Sequence, residues 1–475
     1  MPLGPVAPRA RWLWAALACS IHVTGVRSKS LPGSAALPRA LATWTQHTFF
    51  DPSERTVSPP PALERLNPPL LDPKKEGSFA RHTLTTRLPA VCMRMIKEGA
   101  SEADALRAIA DEIPAQPLRP PREIRAEDKE VDAGCLEWFN RDWETWTKER
   151  AAGAGEKEPW AAALPLISTE MYLYRRCNDV TFFEDGIDPY TGQKNEALAS
   201  ALRSDAFLKA VKLAVGSEGE QRGDVTKALI LADLWGNQGD LALAPLDSTN
   251  TGAAERIKGN SEGRLLVDEI SGALEALESP EDSQVDIICD NAGIELLCDL
   301  LLAFHLEQKG KKVVLHVKGE PLFVSDAMRQ DVESHVCALE EHPDESVRSL
   351  GAGLRAKIGA GICVESHMLW TSPRLFWEMP LSLAGLLAKS SLCIVKGDAN
   401  FRRLVGDRVW PPTTPLCDVV QPWFPAPMLA LRTLKAEIAV GMQEGEAETL
   451  SREHAGWMVT GDFATAQFVP LVASN

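Results

Sequence analysis

Three short apolar runs, each followed by polar residues, restrict the fold of this chain more than any other feature. They lie at residues 285–289, 312–317 and 391–395, and none of them alternates between apolar and polar residues. Such runs are typical of strands in a parallel sheet that helices cover on both faces. Helical spacing over 294–309 and 327–340 completes a βαβ pattern. The sequence therefore predicts an α/β fold, a three-layer α/β/α domain with a mostly parallel sheet.

The rest of the chain divides into an N-terminal extension and a helical region. Residues 1–77 form the extension, which ends in a proline-rich segment typical of an extended linker. Residues 78–221 are predicted to be a helical region, and residues 222–475 to be the α/β domain that carries the site. The further predicted helices lie at 87–96, 101–113, 127–149, 160–176, 228–235 and 263–277.

The charge of the chain limits its partners. It has 475 residues, of which 45% are hydrophobic and 24% charged, and its formal net charge is −16. A chain this acidic is a poor candidate for binding nucleic acid, because the phosphate backbone requires a basic face. An anionic ligand must therefore be held by a local cationic site. Nothing in the sequence indicates an oligomeric state.

The cysteines and the N-terminal residues indicate the cellular compartment of the protein. Ten cysteines are scattered singly without a CxxC pair, which favours reduced thiols and a cytoplasmic protein. Residues 1–50 contain no acidic residue, and the apolar run Trp12–Ile21 follows two arginines. This run is too short to span a bilayer, which takes about 20 residues, so we predict no stable membrane insertion. Organelle or secretory targeting by residues 1–40 is the alternative.

Polar residues follow each of the three predicted strands. Asp290 and Asn291 follow the first, Asp326 lies in the loop after the second, and Lys396-Gly397-Asp398 follows the third. Ligands of open parallel sheets bind at the carboxyl ends of the strands, so these side chains should meet at one edge. Asp290, Asn291 and Asp326 offer the hard oxygen ligands that Mg²⁺ or Mn²⁺ prefers.

The residues by themselves leave other interpretations open. Asn291 can instead cap the helix that begins near Ile294. Glu295 can be an acid placed in the first turn by the helix dipole. Lys396, Arg402 and Arg403 can be solvated surface charges. The sequence contains no GxGxxG, GxxxxGK[ST], GxSxG or HExxH motif that would indicate a competing chemistry.

Nine segments, in order along the chain, resemble the motifs of one family. On these segments the chain resembles the damage-control phosphatases over about residues 78–470. The last segment matches the RTxK signature of their subfamily III, the acidic-residue methyltransferase 1-like proteins. The segments are SFARHTLTTRL (78–88), EMYLYRR (170–176), DPYTGQK (188–194), LWGNQGDL (234–241), DNAGIE (290–295), HVKGEPLFVSD (316–326), WTSPRLFWEM (370–379), KGDANFRRLVGD (396–407) and RTLK (432–435).

The resemblance implies a phosphatase that depends on a divalent metal, Mn²⁺, Co²⁺, Ni²⁺ or Mg²⁺, and acts on small phosphorylated metabolites. Sugar phosphates such as fructose 1-phosphate are the implied substrates. The implied metal ligands are Asp290, Asn291 and Asp326, and the implied catalytic residues are Asp290, Asn291 and Asp398. The predicted substrate-binding residues are Asp290, Asn291, Glu295, Lys396, Asp398, Asn400, Arg402 and Lys435.

These roles agree with the chemistry of a phosphate monoester. The metal would neutralise a phosphate oxygen, and Lys396, Arg402 and Lys435 could hold the other oxygens. Asp398 could act on a proton or a sugar hydroxyl. The backbone amides of Ala292 and Gly293 could also face the phosphate, since they open a helix.

Two other functions are carried as alternatives. The first is methylation of protein carboxyl groups with S-adenosylmethionine, a role also attached to this subfamily. The chain has no glycine-rich methyltransferase loop after its first predicted strand, which counts against that role. The second is a non-catalytic interaction protein on the same fold, and the complete set of candidate ligands argues against it.

Overall fold

The structure is a computed structural model whose described residues all belong to the compact unit Pro38–Asn475. The predicted helix at 127–149 and the possible targeting segment 1–40 lie outside the described residues. Within those residues, no helix is long and apolar enough to cross a membrane. The described ranges are 47–48, 54–97, 99–100, 102–112, 165–182, 186–216, 222–236, 263–280 and 282–471.

The described part of the chain contains an eight-stranded, mostly parallel sheet. Its strand order is β1-β5-β4-β3-β6-β7-β8-β2, and only the β7–β8 pair is antiparallel. The strands β3, β4 and β6 therefore lie side by side in one direction, and their carboxyl ends share an edge. The strands are β1 (His47–Thr48), β2 (Leu265–Asp268), β3 (Gln284–Ile288), β4 (Lys312–His316), β5 (Ile362–His367), β6 (Ser390–Lys396), β7 (Met428–Thr433) and β8 (Ala464–Val469).

The described helices lie between these strands along the chain. A π-helical turn, Thr83–Arg87, joins the second and third helices, and short 3₁₀ turns span Met368–Thr371 and Phe376–Glu378. The helices are α1 (Pro61–Leu66), α2 (Phe79–His82), α3 (Leu88–Lys97), α4 (Ala103–Glu112), α5 (Leu166–Val180), α6 (Thr191–Leu202), α7 (Asp205–Gly216), α8 (Arg222–Trp235), α9 (Ile270–Leu277), α10 (Ile294–Gln308), α11 (Arg329–Glu340), α12 (Glu345–Lys357), α13 (Leu381–Leu387), α14 (Asp398–Leu404), α15 (Leu416–Val420) and α16 (Glu446–Glu453).

The sheet separates two apolar cores, one on each face. Val285 and Ile287 of β3 contact the core formed with α7, α8, α10 and α12. Ile288, the next residue, contacts the core formed with α3, α4 and α5. Successive side chains of a strand point to opposite faces, so an unalternating apolar strand supplies both cores at once. The predicted three-layer α/β/α fold and the helical N-terminal region are confirmed.

Two predicted helices differ from the structure, and several strands were not predicted. The helix predicted at 263–277 is the strand β2 followed by the shorter helix α9, because residues 265–268 pair with β8, some 200 residues away in sequence. The helix predicted at 160–176 begins at Leu166, after Pro165, and runs to Val180. Proline is tolerated at the start of a helix but not in its interior. The strands β5, β7 and β8 were not predicted, because β5 alternates in exposure and the other two lie near the chain end without a βαβ context.

The contact between α11 and α12 yields a test of this packing. A Cβ added at Gly351 of α12 would lie 2.6 Å from the backbone nitrogen of Glu340. Gly351→Ala should therefore lower the free energy of unfolding by about 1–3 kcal/mol, although alanine favours a helix. Denaturant unfolding measures the change. Gly385→Ala is the matched control: it lies on the exposed side of α13 with open space around it, and should be neutral or stabilising by up to about 1 kcal/mol. Equal effects of the two variants would contradict the proposed contact.

Candidate active site

The loops after β3 and β4 are bonded to each other at the carboxyl edge of the sheet. The Ala327 amide donates to the Asp290 carbonyl at 2.8 Å, and the Ala292 amide donates to the Ser325 carbonyl at 2.7 Å. Asn291 and Asp326 consequently face each other in an isolated antiparallel bridge. This pairing brings together the three side chains predicted to be metal ligands.

The side chain of Asn291 is held by its neighbours and does not cap a helix. Its Nδ2 donates to Asp290 Oδ2 at 2.6 Å and to Glu295 Oε2 at 2.9 Å, and its Oδ1 accepts from Ser325 Oγ at 2.5 Å. The residue that precedes α10 is Gly293, with φ of +82° and no side-chain cap. The capping alternative for Asn291 is therefore wrong, because positive φ at the cap position favours glycine.

Burial and the proximity of other carboxylates disfavour the ionised form of Asp290 and Asp326. Burial and the nearby Glu295 and Asp326 raise the pKa of Asp290 well above its usual value. Burial likewise raises the pKa of Asp326 to about 6, although Lys318 and Lys194 oppose the shift. Within the described residues, Asp290 Oδ1 is buried without a hydrogen-bond partner. A buried oxygen without a partner is unfavourable unless a cation or another group satisfies it.

A divalent cation fits this donor set. Two carboxylates and an amide oxygen are hard ligands of the type that Mg²⁺ and Mn²⁺ take. Gly397, with φ of +80°, lies against the carboxylate, and a Cβ there would lie 2.0 Å from Asp290 Oδ2. Among the described residues, no three or more His, Cys, Asp or Glu side chains are arranged as a metal site. The candidate set has only two side chains of these types, because its third member, Asn291, is an amide.

The segment after β6 contributes Asp398, which the RTLK segment orients. Asp398 Oδ1 accepts from Arg432 Nε at 2.7 Å and from the Lys435 amide at 3.1 Å. Arg432 is itself fixed, because its guanidinium also donates to the Ile438 carbonyl at 2.7 Å. The signature therefore sets the direction of one Asp398 oxygen and leaves the other without a hydrogen-bond partner among the described residues.

Lys435 is a candidate to bind an anion. Its side chain is half-buried, and its ammonium makes no ion pair or hydrogen bond within the described residues. Its charge acts on Asp290, where it opposes the rise in pKa. A half-buried cation near the candidate ligands can interact with a phosphate oxygen.

Asn400 and Lys318 connect the three strand ends beneath the site. Asn400 Nδ2 donates to the Cys289 carbonyl at 3.2 Å and to the Lys396 carbonyl at 2.9 Å. Its Oδ1 accepts from Lys318 Nζ at 2.9 Å, and that ammonium lies 3.5 Å from Asp326 Oδ2. Lys318 was not predicted from the sequence, although its position after β4 could have indicated it.

Lys396 lies beneath the site and is buried. Its ammonium lies 2.5 Å from Asp233, 3.1 Å from Glu295 and 3.1 Å from Asp299. Burial opposes its charge, but the three carboxylates outweigh this and raise the pKa of Lys396 well above its usual value. The alternative of a solvated Lys396 is wrong. Because the ammonium already has three partners, its contribution to a substrate is the positioning of Glu295, which holds Asn291.

Arg402 and Arg403 are buried as well, which excludes the solvated alternative for both. Arg402 lies 2.7 Å from Asp407 and 2.8 Å from Glu170, and these contacts join α14 to α5. Arg403 donates to several backbone carbonyls, including that of Leu369 at 2.7 Å. Arg402 therefore fixes the helix that carries Asp398 and Asn400. It was predicted to bind the substrate, and we assign it a positioning role instead, because two carboxylates already hold its guanidinium.

The backbone amides that open α10 have protein partners. The Ala292 amide donates to Ser325, and the Gly293 amide donates to His335 Nε2 at 2.8 Å. Burial lowers the pKa of His335 to about 4, so its ring is neutral and can accept this bond. The prediction that these two amides face a phosphate is wrong, because neither hydrogen is free.

The loop that precedes Asp326 is held by hydrogen bonds from Lys194 and has a strained backbone. Lys194 Nζ donates to the Asp326 carbonyl and to Asp331 Oδ2, each at 2.8 Å. Phe323 and Val324 adopt φ of +47° and +73°, in the left-handed region that non-glycine residues avoid. Strain of this kind persists only where the surroundings impose it and often occurs at functional sites. Neither feature was predicted, since both depend on contacts between distant segments.

Comparisons with known proteins agree on one family. The model of the damage-control phosphatase ARMT1-like domain matches residues 84–450. The chain is 30% identical to the damage-control phosphatase ARMT1 of Danio rerio, over 85% of this chain and 97% of the relative. It is 28% identical to the protein of the same name from Mus musculus, over 85% of this chain and 98% of the relative.

A solved structure is also similar, though weakly. The crystal structure of a DUF89 family protein from Pyrococcus horikoshii aligns with 76% of this chain and 96% of that protein, at 14% identity and a TM-score of 0.40. A likeness at this level carries no weight for function.

The contact between Gly397 and Asp290 predicts an effect on the site. Gly397→Ala places a methyl group on the Asp290 carboxylate and strains a backbone with φ of +80°. Binding of Mn²⁺, measured by calorimetry, should weaken at least about tenfold, as expected when a ligand's support is disturbed. Gly359→Ala also changes a glycine with positive φ, of +88°, but nothing lies within 4 Å of its added Cβ. Equal loss of Mn²⁺ affinity in both variants would show that strain, and not the contact, is responsible.

The cluster around Lys396 predicts an effect on stability. Lys396→Met leaves three buried carboxylates without their cation and should lower the free energy of unfolding by about 3–5 kcal/mol. Asp299→Asn is the matched change on the other side of the pair. Burial raises the pKa of Asp299, so replacing it by a neutral amide should cost less than about 1 kcal/mol. Chemical denaturation at neutral pH measures both, and a larger loss for the asparagine variant would contradict the charge balance described.

Proposed function

Because the chain belongs to the damage-control phosphatase family, we infer that it is a metal-dependent hydrolase of phosphomonoesters, and we propose sugar phosphates such as fructose 1-phosphate as its substrates. The observation that carries the proposal is Asp290 Oδ1, which is buried without a hydrogen-bond partner among the described residues and lies near the carboxylates of Glu295 and Asp326. We propose the cytoplasm as its compartment and small phosphorylated metabolites, not nucleic acid, as its partners.

Asp290, Asn291 and Asp326 are the proposed metal ligands, and Mn²⁺, Co²⁺, Ni²⁺ or Mg²⁺ are the candidate ions. When bound, the metal supplies charge neutralisation at a phosphate oxygen and orients the attacking group. The side chains are prepared for this role by the chain itself. Ser325 and Glu295 fix the amide of Asn291, while Lys194 fixes the loop of Asp326.

Lys435 and Asp398 are the proposed residues that contact the substrate. The Lys435 ammonium has no ion pair within the described residues and can hold a phosphate oxygen. Asp398 Oδ1 is engaged by Arg432, which leaves its Oδ2 to accept a proton or a hydrogen bond from a sugar hydroxyl. Asn400 is buried and links the strand ends beneath the site. Glu295, Lys396 and Arg402 fix the positions of the proposed metal ligands and substrate-binding residues.

Phosphate release from fructose 1-phosphate tests the proposal. We expect the full chain to be active with at least one of Mn²⁺, Co²⁺, Ni²⁺ and Mg²⁺ and inactive with a chelator. Asp290→Asn retains the shape but removes the charge, and should lower kcat/KM by at least about 100-fold. Asp462→Asn, on an exposed loop, is the control and should remain as active as wild type. Metal-independent turnover, or full activity of Asp290→Asn, would exclude the proposed site.

A further inference from the structure

A cavity of about 610 Å³ adjoins the candidate metal ligands. Ala292, which follows Asn291, and Ser325, which precedes Asp326, form part of its wall. Two of the candidate ligands are therefore next in sequence to residues that line the cavity. Cavities of this size suit small metabolites.

The cavity is basic in a chain that is acidic as a whole. His82, Arg87, Arg94 and Lys194 line it, and no carboxylate occurs among its described lining residues. The formal net charge of the chain is −16, so a basic wall runs against the overall field. A local excess of positive charge at a cavity concentrates anionic ligands there.

Two of these cations are available to a ligand. Lys194 is not, because its ammonium lies 2.8 Å from both Asp188 and Asp331. Arg94 donates to Gln193 at 3.2 Å and makes no ion pair within the described residues. Arg87 lies 3.7 Å from Glu170 and is 44% exposed at its side chain.

The weak pairing of Arg87 follows from competition for its partner. Glu170 is fully buried and lies closer to Arg402, at 2.8 Å, than to Arg87. Arg402 and Arg87 share this carboxylate, and Arg87 makes the longer of the two contacts. A bidentate anion can compete for the Arg87 guanidinium, because 44% of this side chain is exposed.

The two arginines lie on one side of continuous helical backbone. Arg87 ends the π-helical turn and Arg94 lies in α3, seven residues later, with Ala90 and Val91 between them also lining the cavity. Residues spaced by three, four and seven share one helix face. Arg87 and Arg94 therefore lie on one helix face, about 10 Å apart along the axis, with small apolar residues between them.

The opposite wall is shaped by the strained loop. Phe323 contacts the ring of Tyr174, with ring centroids 5.1 Å apart, and both residues line the cavity. The same loop continues directly to Ser325 and Asp326. The strain at Phe323 and Val324 thus places an apolar wall and a candidate metal ligand together.

We propose that this cavity selects phosphorylated metabolites that carry a second anionic group, a second phosphate or a carboxylate, and that Arg87 and Arg94 bind that group. The reacting phosphate lies at the metal ligands, and the second anion lies in the basic cavity. The inference rests on the proposed function and specifies the substrate class for the same site. Guanidinium groups suit this role because they bind phosphates and carboxylates through two parallel hydrogen bonds.

Paired substrates test the proposal. Fructose 1,6-bisphosphate and fructose 1-phosphate differ by one phosphate, and wild type should show a higher kcat/KM for the bisphosphate. Arg94→Gln and Arg87→Gln should each lower this ratio about tenfold, while fructose 1-phosphate alone changes less than about threefold. Arg94→Lys should restore part of the ratio, because it keeps the charge. Arg107→Gln, on the exposed side of the neighbouring α4, is the control and should leave the ratio unchanged.

A second measurement distinguishes binding in the cavity from hydrolysis of the substrate. Calorimetry with each sugar phosphate measures binding whether or not turnover occurs. In one outcome, neither compound is hydrolysed, the bisphosphate binds more tightly than fructose 1-phosphate, and only the Arg87 and Arg94 variants lose this preference. The proposed hydrolysis then fails, while the proposed role of the basic cavity is supported. If wild type does not prefer the bisphosphate in either measurement, or the variants keep that preference, the proposal is overturned.

Discussion

Two backbone hydrogen bonds join the loops after β3 and β4, from Ala327 to Asp290 and from Ala292 to Ser325, and the candidate site depends on them. A parallel sheet brings strand ends to one edge but does not orient the loops that follow. The paired loops convert three separate polar residues into one cluster. They also use the amide of Ala292 and, through His335, that of Gly293, so the site relies on side chains where the sequence suggested backbone donors.

Buried charge is distributed in layers around this cluster. Lys396 and Arg402 lie deepest and are held by carboxylates, and Lys318 and Asn400 link the strand ends. Lys435 and Arg94, nearer the surface, have no carboxylate partner within the described residues. A cation that binds a ligand must not already be paired with a carboxylate. A buried cation that stabilises the fold is most favourable when carboxylates pair with it fully. The same residue types therefore serve different purposes at different depths.

The acidic cluster and the basic cavity are neighbours with opposite charge. The cluster favours a divalent cation, because its carboxylates repel one another and Asp290 Oδ1 is buried without a hydrogen-bond partner among the described residues. The cavity favours an anion, because its described lining is basic and free of carboxylates. A phosphorylated metabolite can satisfy both, with one anionic group at the metal and another among the arginines. The strained Phe323–Val324 backbone lines the cavity and leads directly through Ser325 to Asp326.

The sequence by itself determined the three central strands, their parallel arrangement and the edge at which Asp290, Asn291, Asp326 and Asp398 meet. These follow from local apolar patterning and from short motifs, which need no knowledge of distant contacts. Only the tertiary structure decided which cations form ion pairs with carboxylates. The sequence does not distinguish Lys396 and Arg402, which form such pairs, from Lys435, which forms none within the described residues. It also decided that residues 265–268 form a strand and that Arg87 and Arg94 line a cavity beside the site. The reason is physical: pairing and burial depend on residues far apart in the chain, and local patterns contain no information about them.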